Sequence, residues 1–176
     1  MPSLTSTVNQ ILSLLTILGQ AVIVFCLIIL FTKKQKFIDI VSKNAVLFSF
    51  IIVLIATLGS LFYSEVAGFE PCKLCWFQRI LMYPQVLLLG LALFKKDKNI
   101  ISYTLWLSAI GAVIAGYHYL LQIGVAPSLS CSATGYSAKC AQRFVMNFDY
   151  ITIPMMAFTA FLLILLIQII QKKHDH

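Results

Sequence analysis

Apolar residues run along the chain in five long blocks, each bounded by short polar or charged stretches. The blocks are Ile11–Phe31, Ala45–Tyr63, Trp76–Phe94, Ile100–Ile123 and Ile151–Ile170. Each holds about 19 to 24 residues, enough for a helix to cross about 30 Å of hydrocarbon. In lipid a backbone must satisfy its own hydrogen bonds, so the blocks predict membrane-spanning helices. The expected fold class is all-α integral membrane with five spans. No internal repeat, low-complexity tract or soluble appendage interrupts it.

Composition supports that reading. Hydrophobic residues make up 60% of the 176 and charged residues 11%, against about a quarter charged in a soluble domain. One domain is the expectation at this length. The net charge of +7 does not imply nucleic acid, because the basic residues sit in clusters between the apolar blocks.

Those clusters predict orientation. Lys33, Lys34, Lys36 and Lys43 lie between blocks one and two, Lys95, Lys96 and Lys98 between three and four, and Lys172 and Lys173 after block five. Nine of the 13 basic residues thus fall in alternate connections. The positive-inside rule makes these connections cytoplasmic, with the N-terminus and the loops 64–75 and 124–150 outside. The first block reads as an uncleaved span rather than a signal peptide, since residues 1–10 carry no positive charge and the lysines follow it.

Four of the five cysteines fall in the two outer loops. Cys72 and Cys75 form a C-x-x-C within "EPCKLCWFQR", and Cys131 and Cys140 lie in the second loop. The outside is where disulfides form and persist. Cys26 stands alone inside the first block and reads as a small buried hydrophobe.

With Pro71 before it and an apolar block starting at Trp76, Cys75 is expected in the first turn of a helix. Free N–H groups and the positive end of the helix dipole favour a thiolate there. Arg79 follows four residues later, about 6 Å along the same helix face. Two inert readings compete. The cysteines could staple loops, but a two-residue ring closes almost no loop entropy. They could form a four-cysteine zinc site, yet the two pairs are unlike, and one opens a membrane helix. No metal is expected on this reading, and the four cysteines leave three pairings open.

His118 lies near the outer end of the fourth block and is a functional candidate as an ionisable residue inside a span; an interfacial histidine bonded to a neighbouring helix is its plainer reading. Gln78 and Gln122 are weaker candidates. Trp76, Tyr117 and Tyr119 read as interfacial belt residues, Pro84 as a kink, and Pro154 as a first-turn proline. Glu65, Glu70 and Asp149 read as solvated loop charges, with proton delivery as the alternative.

At these residues the chain resembles the DsbB/BdbC family of disulfide-bond formation proteins. "GSLFYSEVAGFEPCKLCWFQRILMYPQVLLLG", "GYHYLLQ", the second-loop cysteine pair and "FDYITIPMMAFTAFLLI" carry the likeness, over roughly residues 45–170. The resemblance implies a four-helix membrane domain over 45–171. Residues 1–44 are then an extra N-terminal span with its cytoplasmic loop, and 172–176 a cytoplasmic tail.

The resemblance also implies an activity: reoxidising an extracytoplasmic thioredoxin-like thiol oxidase of DsbA/BdbD type and passing the electrons to membrane quinone, ubiquinone or menaquinone. In that scheme Cys131 and Cys140 exchange with the partner, Cys72 exchanges with that pair, and Cys75 faces the quinone. Arg79 and His118 are the expected quinone-binding residues, and the place is a bacterial cytoplasmic membrane. The lysine-rich composition and BdbC likeness point to menaquinone. The competing readings are a vitamin K epoxide reductase-like thiol–quinone enzyme, an outward electron conduit, and a non-enzymatic scaffold with stapled loops.

Overall fold

The computed structural model describes residues 2–32, 35–97, 99–126 and 140–175. Six α-helices follow in order among the described residues: α1 (Pro2–Thr32), α2 (Gln35–Lys43), α3 (Ala45–Leu61), α4 (Lys73–Lys95), α5 (Ile100–Gln122) and α6 (Ile153–Asp175). Among the described residues β-pairing is limited to one isolated bridge, Asn147 with Ile151. Five helices among the described residues are long and apolar enough to cross a membrane. The all-α membrane class therefore holds. Helix faces turned away from the bundle are apolar, with Leu87 72% and Val113 73% exposed, as lipid rather than water requires.

Two local features depart from the block pattern. Helix α1 begins at Pro2, well before the apolar run, because no breaker lies between Pro2 and Ile11 and proline is tolerated in a first turn. The connection after α1, which reads by charge as a lysine loop, contains the short helix α2. Phe37 of α2 meets Phe25 of α1 edge-on, ring centroids 5.8 Å apart. Asp39 meets His174 at the end of α6 at 2.8 Å, an exposed contact of small energetic worth.

The core lies between α3, α4, α5 and α6, around Val53, Met82, Leu89, Ala112, Ala115, Phe161 and Ile164. Gly111 allows the closest approach: a methyl there would lie 2.3 Å from the Phe161 ring. Buried polar pairs tie the helices together, Ser108 Oγ donating to Gln85 Oε1 (3.0 Å) and Gln168 Nε2 to Thr104 Oγ1 (2.8 Å).

Helix α1 packs on α6, where a methyl at Gly19 would lie 3.0 Å from Leu163. It is also held by polar contacts to the turn before α6. The Asn147 amide donates to the Asn9 carbonyl (3.2 Å) and to Ser13 Oγ (2.7 Å). The Tyr150 hydroxyl donates to Gln20 Oε1 (3.0 Å). Phe148 and Asp149 in that turn are left-handed, with φ of 51° and 62°.

Candidate functional site

The site forms where the α3–α4 connection, the end of α5 and the segment from residue 140 to 152 meet. Helix α3 ends in a π-helical turn over Phe62–Val66, and the chain reverses through Gly68 at φ 71°. Three rings then clamp the two connections: Phe69 stacks on Tyr63 (5.9 Å) and on Phe144 (4.9 Å). Beyond Pro71 the chain stays extended at Cys72 (φ −73°, ψ 173°), which caps α4. The first helical bond runs from the Trp76 N–H to the Cys72 carbonyl, 3.0 Å. Cys75 is therefore in the first turn of α4, as the motif predicts.

The two sulfurs of the motif lie 3.3 Å apart as thiols, with Cys72 Sγ–H donating to Cys75 Sγ. That bond and burial push the Cys72 thiol up to about 12, with His118 acting in the opposite sense. Cys72 therefore keeps its proton in this arrangement. His118 is 1% exposed, and its Nε2 lies 3.7 Å from Cys72 Sγ and 3.2 Å from the Cys140 carbonyl oxygen. Its Nδ1 is 3.0 Å from the Gln78 amide nitrogen. Gln78 is thus the residue that orients the imidazole.

Cys140 is buried and packs with Cys72, Leu74 and Leu121. Its segment is fastened to α5 by Arg143, whose Nε and Nη2 donate to the Gln122 carbonyl at 2.9 and 2.6 Å. The Gln122 amide donates in return to the Gln142 carbonyl, 3.1 Å. Cys131 lies outside the described residues. Cys26 is buried in α1.

Arg79 sits one turn below Cys75. Nε donates to Ser60 Oγ (3.0 Å) and Nη2 to the Ser60 carbonyl (2.9 Å). The guanidinium lies 5.4 Å from the Trp76 ring centroid and 6.0 Å from that of Tyr83, within cation–π range. Nη1 has no hydrogen-bond partner among the described residues.

Two cavities flank the motif. The larger, about 260 Å³, is walled by apolar side chains of α1, α3, α4 and α6, with Ser60, Glu70, Cys75, Gln78, Arg79 and Tyr83 supplying polar groups. The smaller, about 30 Å³, touches Cys72, Cys75, His118 and Gln122. Cys75 borders both. Arg79 borders only the large one and His118 only the small one, so the two residues expected to share a ligand face different spaces.

Comparison with known proteins places the chain in a family. Residues 42–171 match the family model for disulfide bond formation protein DsbB. The chain belongs to the DsbB family. Relatives of this DsbB-family chain include a probable disulfide formation protein C 1 of Bacillus anthracis, 47% identical over 142 residues, 81% of this chain and 96% of that one. Another is the disulfide bond formation protein C of Bacillus subtilis (strain 168), 42% identical over 138 residues, 74% of this chain and 96% of that one. No solved structure matches the chain. As a DsbB-family member it is a multi-pass membrane disulfide oxidoreductase.

Sequence reasoning missed Ser60 and the pairing of Gln78 with His118, both of which depend on how distant helices meet. Trp76, expected in the interfacial belt, is 54% exposed at the start of α4 and lies on one helix face with Arg79 and Tyr83.

Proposed function

We propose that this protein reoxidises an extracytoplasmic thioredoxin-fold thiol oxidase and delivers the electrons to a membrane quinone. The observation that carries the proposal is that Cys75 and Arg79 line the same apolar cavity. A flat ring with two acceptor oxygens and a hydrocarbon tail needs a largely apolar slot with a few polar groups at one end. Arg79, Tyr83 and Gln78 would hold its oxygens. The quinone, when bound, supplies the capacity to accept two electrons and two protons.

The chain's own residues account for the rest. Oxidation of Cys72 and Cys75 to a disulfide releases two electrons and two protons, and exchange with the Cys131–Cys140 pair returns them to the dithiol. Cys72 faces His118 and Cys140 on the side away from the large cavity, so it is the sulfur suited to exchange. Cys75 faces the other way. Arg79, fixed on Ser60, keeps a positive charge about one helical turn from Cys75 without reorganisation, the arrangement that stabilises developing negative charge most effectively. The three stacked rings of Tyr63, Phe69 and Phe144 shield the dithiol from water.

DsbA-type oxidases are strong oxidants, near −120 mV, so their reoxidation calls for an acceptor at least as oxidising; a lipid-soluble quinone meets that need. Outward placement of the cysteine loops rests on the lysine distribution, and menaquinone on the BdbC likeness. The test is turnover by the purified protein in detergent, with a reduced thioredoxin-fold partner and quinone, followed by quinone absorbance. Partner oxidation that proceeds equally well without quinone would refute the proposal.

A further inference from the structure

The triangle of Cys72 Sγ, Cys75 Sγ and His118 Nε2, with Cys72 and His118 buried and Cys75 half-buried, comes close to the dimensions of a metal site. The three atoms all lie within 4.8 Å of one another, with the sulfurs 3.3 Å apart and Nε2 3.7 Å from Cys72 Sγ. A tetrahedral zinc ion, with bonds of about 2.3 Å to sulfur and about 2.0–2.1 Å to nitrogen, sets its ligands about 3.8 Å apart for two sulfurs and about 3.6 Å for sulfur and nitrogen. The Cys72–Cys75 and Cys72–His118 edges already lie within about 0.5 Å of those values, and the third, from Cys75 Sγ to the imidazole, is no longer than 4.8 Å, so a side-chain shift of about 1 Å closes the triangle on an ion. The ligands come from two elements, the start of α4 and the last turns of α5, so helix packing already brings them together.

We infer that the dithiol form of this site binds a soft divalent cation of the zinc class through Cys72, Cys75 and His118, and that the disulfide form does not. This set differs from a four-cysteine site, because it uses one cysteine pair and an imidazole. The outer contacts of His118 suit the role. In the metal-free form Nε2–H donates to the Cys140 carbonyl, 3.2 Å away. Moving that proton to Nδ1 frees the Nε2 lone pair, and after a half-turn of its amide the Gln78 side chain, 3.0 Å from Nδ1, accepts a hydrogen bond from Nδ1–H through Oε1. Metal-bound histidines are usually held by such a partner on their other nitrogen. Binding forms two metal–sulfur bonds and one metal–nitrogen bond and releases two thiol protons; no atom changes oxidation state.

Binding does not depend on the proposed quinone relay; its consequence does. A cation holding both thiolates would keep the electron pair on the protein, so free zinc would act as a brake that works only on the reduced site.

The test uses the full chain in detergent, without quinone or partner, reduced with a phosphine that is then removed. Zinc is titrated against a chromophoric chelator, and X-ray absorption on the loaded protein counts the bound atoms. One zinc per chain with two sulfurs and at least one nitrogen or oxygen supports the inference. His118→Gln should weaken binding at least tenfold, and Gln78→Leu about 10- to 100-fold, the range for loss of an outer partner. Cys72→Ser should abolish it, and oxidation of the pair should release the metal. Four sulfurs around zinc, or unchanged affinity after oxidation, would overturn it. The absorption measurement needs no variant, so a misfolded His118→Gln does not leave the question open.

Discussion

Arg79 is bound twice to Ser60, through the hydroxyl at 3.0 Å and the backbone carbonyl at 2.9 Å. The Tyr83 hydroxyl donates to the same Ser60 oxygen at 3.2 Å, so α3 and α4 aim the guanidinium together. Replacing Arg79 by alanine should raise the apparent Michaelis constant for quinone about 10- to 100-fold, the equivalent of one charge-assisted hydrogen bond of about 1.5–3 kcal/mol. The constant for the dithiol partner should move far less. Steady-state kinetics with each substrate varied in turn checks this, and an unchanged quinone constant would count against the assignment.

Either Cys75→Ser or Cys72→Ser should reduce quinone-dependent turnover to the uncatalysed rate. The two should differ in trapping. With Cys75 replaced, the Cys72 thiolate can still attack the disulfide of the oxidised partner, releasing one partner thiolate, but the mixed disulfide so formed has no neighbour 3.3 Å away to resolve it. Non-reducing electrophoresis should then show an accumulated mixed disulfide in the Cys75→Ser protein and none through that position in Cys72→Ser. Near-normal turnover in Cys75→Ser would refute the roles proposed here.

The hydrophobic blocks made the five spans legible, and the spacing of Cys72, Cys75 and Arg79 showed the centre of the site. What stayed hidden depends on contacts between distant parts of the chain. Ser60 precedes Arg79 by nineteen residues and carries no mark of its role until α3 and α4 pack. His118 reads alone as a membrane histidine; only its approach to Gln78, Cys72 and the Cys140 carbonyl shows that it faces the thiols. Helix α2 was masked by its lysines, although Phe37, Ile38, Ile40 and Val41 give it an apolar side.

Gly111→Ala should lower thermal stability in detergent. The new methyl would lie 2.3 Å from Phe161, which is fully buried, and overpacking of this kind costs about 1–3 kcal/mol. Scanning fluorimetry should show a lower midpoint. A midpoint equal to the parent would mean that α5 and α6 separate more easily than their packing implies.

Helix α1 lies wholly outside the family match, yet Leu12, Leu15 and Thr16 line the large cavity. Leu15→Trp should narrow that space and raise the apparent Michaelis constant for quinone several-fold, leaving partner oxidation in a single turnover unaffected. An equal response to both substrates would show that α1 acts on the whole fold instead.

The grip of Arg143 on the Gln122 carbonyl has a consequence for travel. Cys140 precedes Arg143 by three residues, and three extended residues reach about 10 Å. While that grip holds, the Cys140 backbone stays within about 10 Å of Arg143. An incoming oxidase that exchanges with Cys140 would then meet its sulfur near the rim of α5, within that radius.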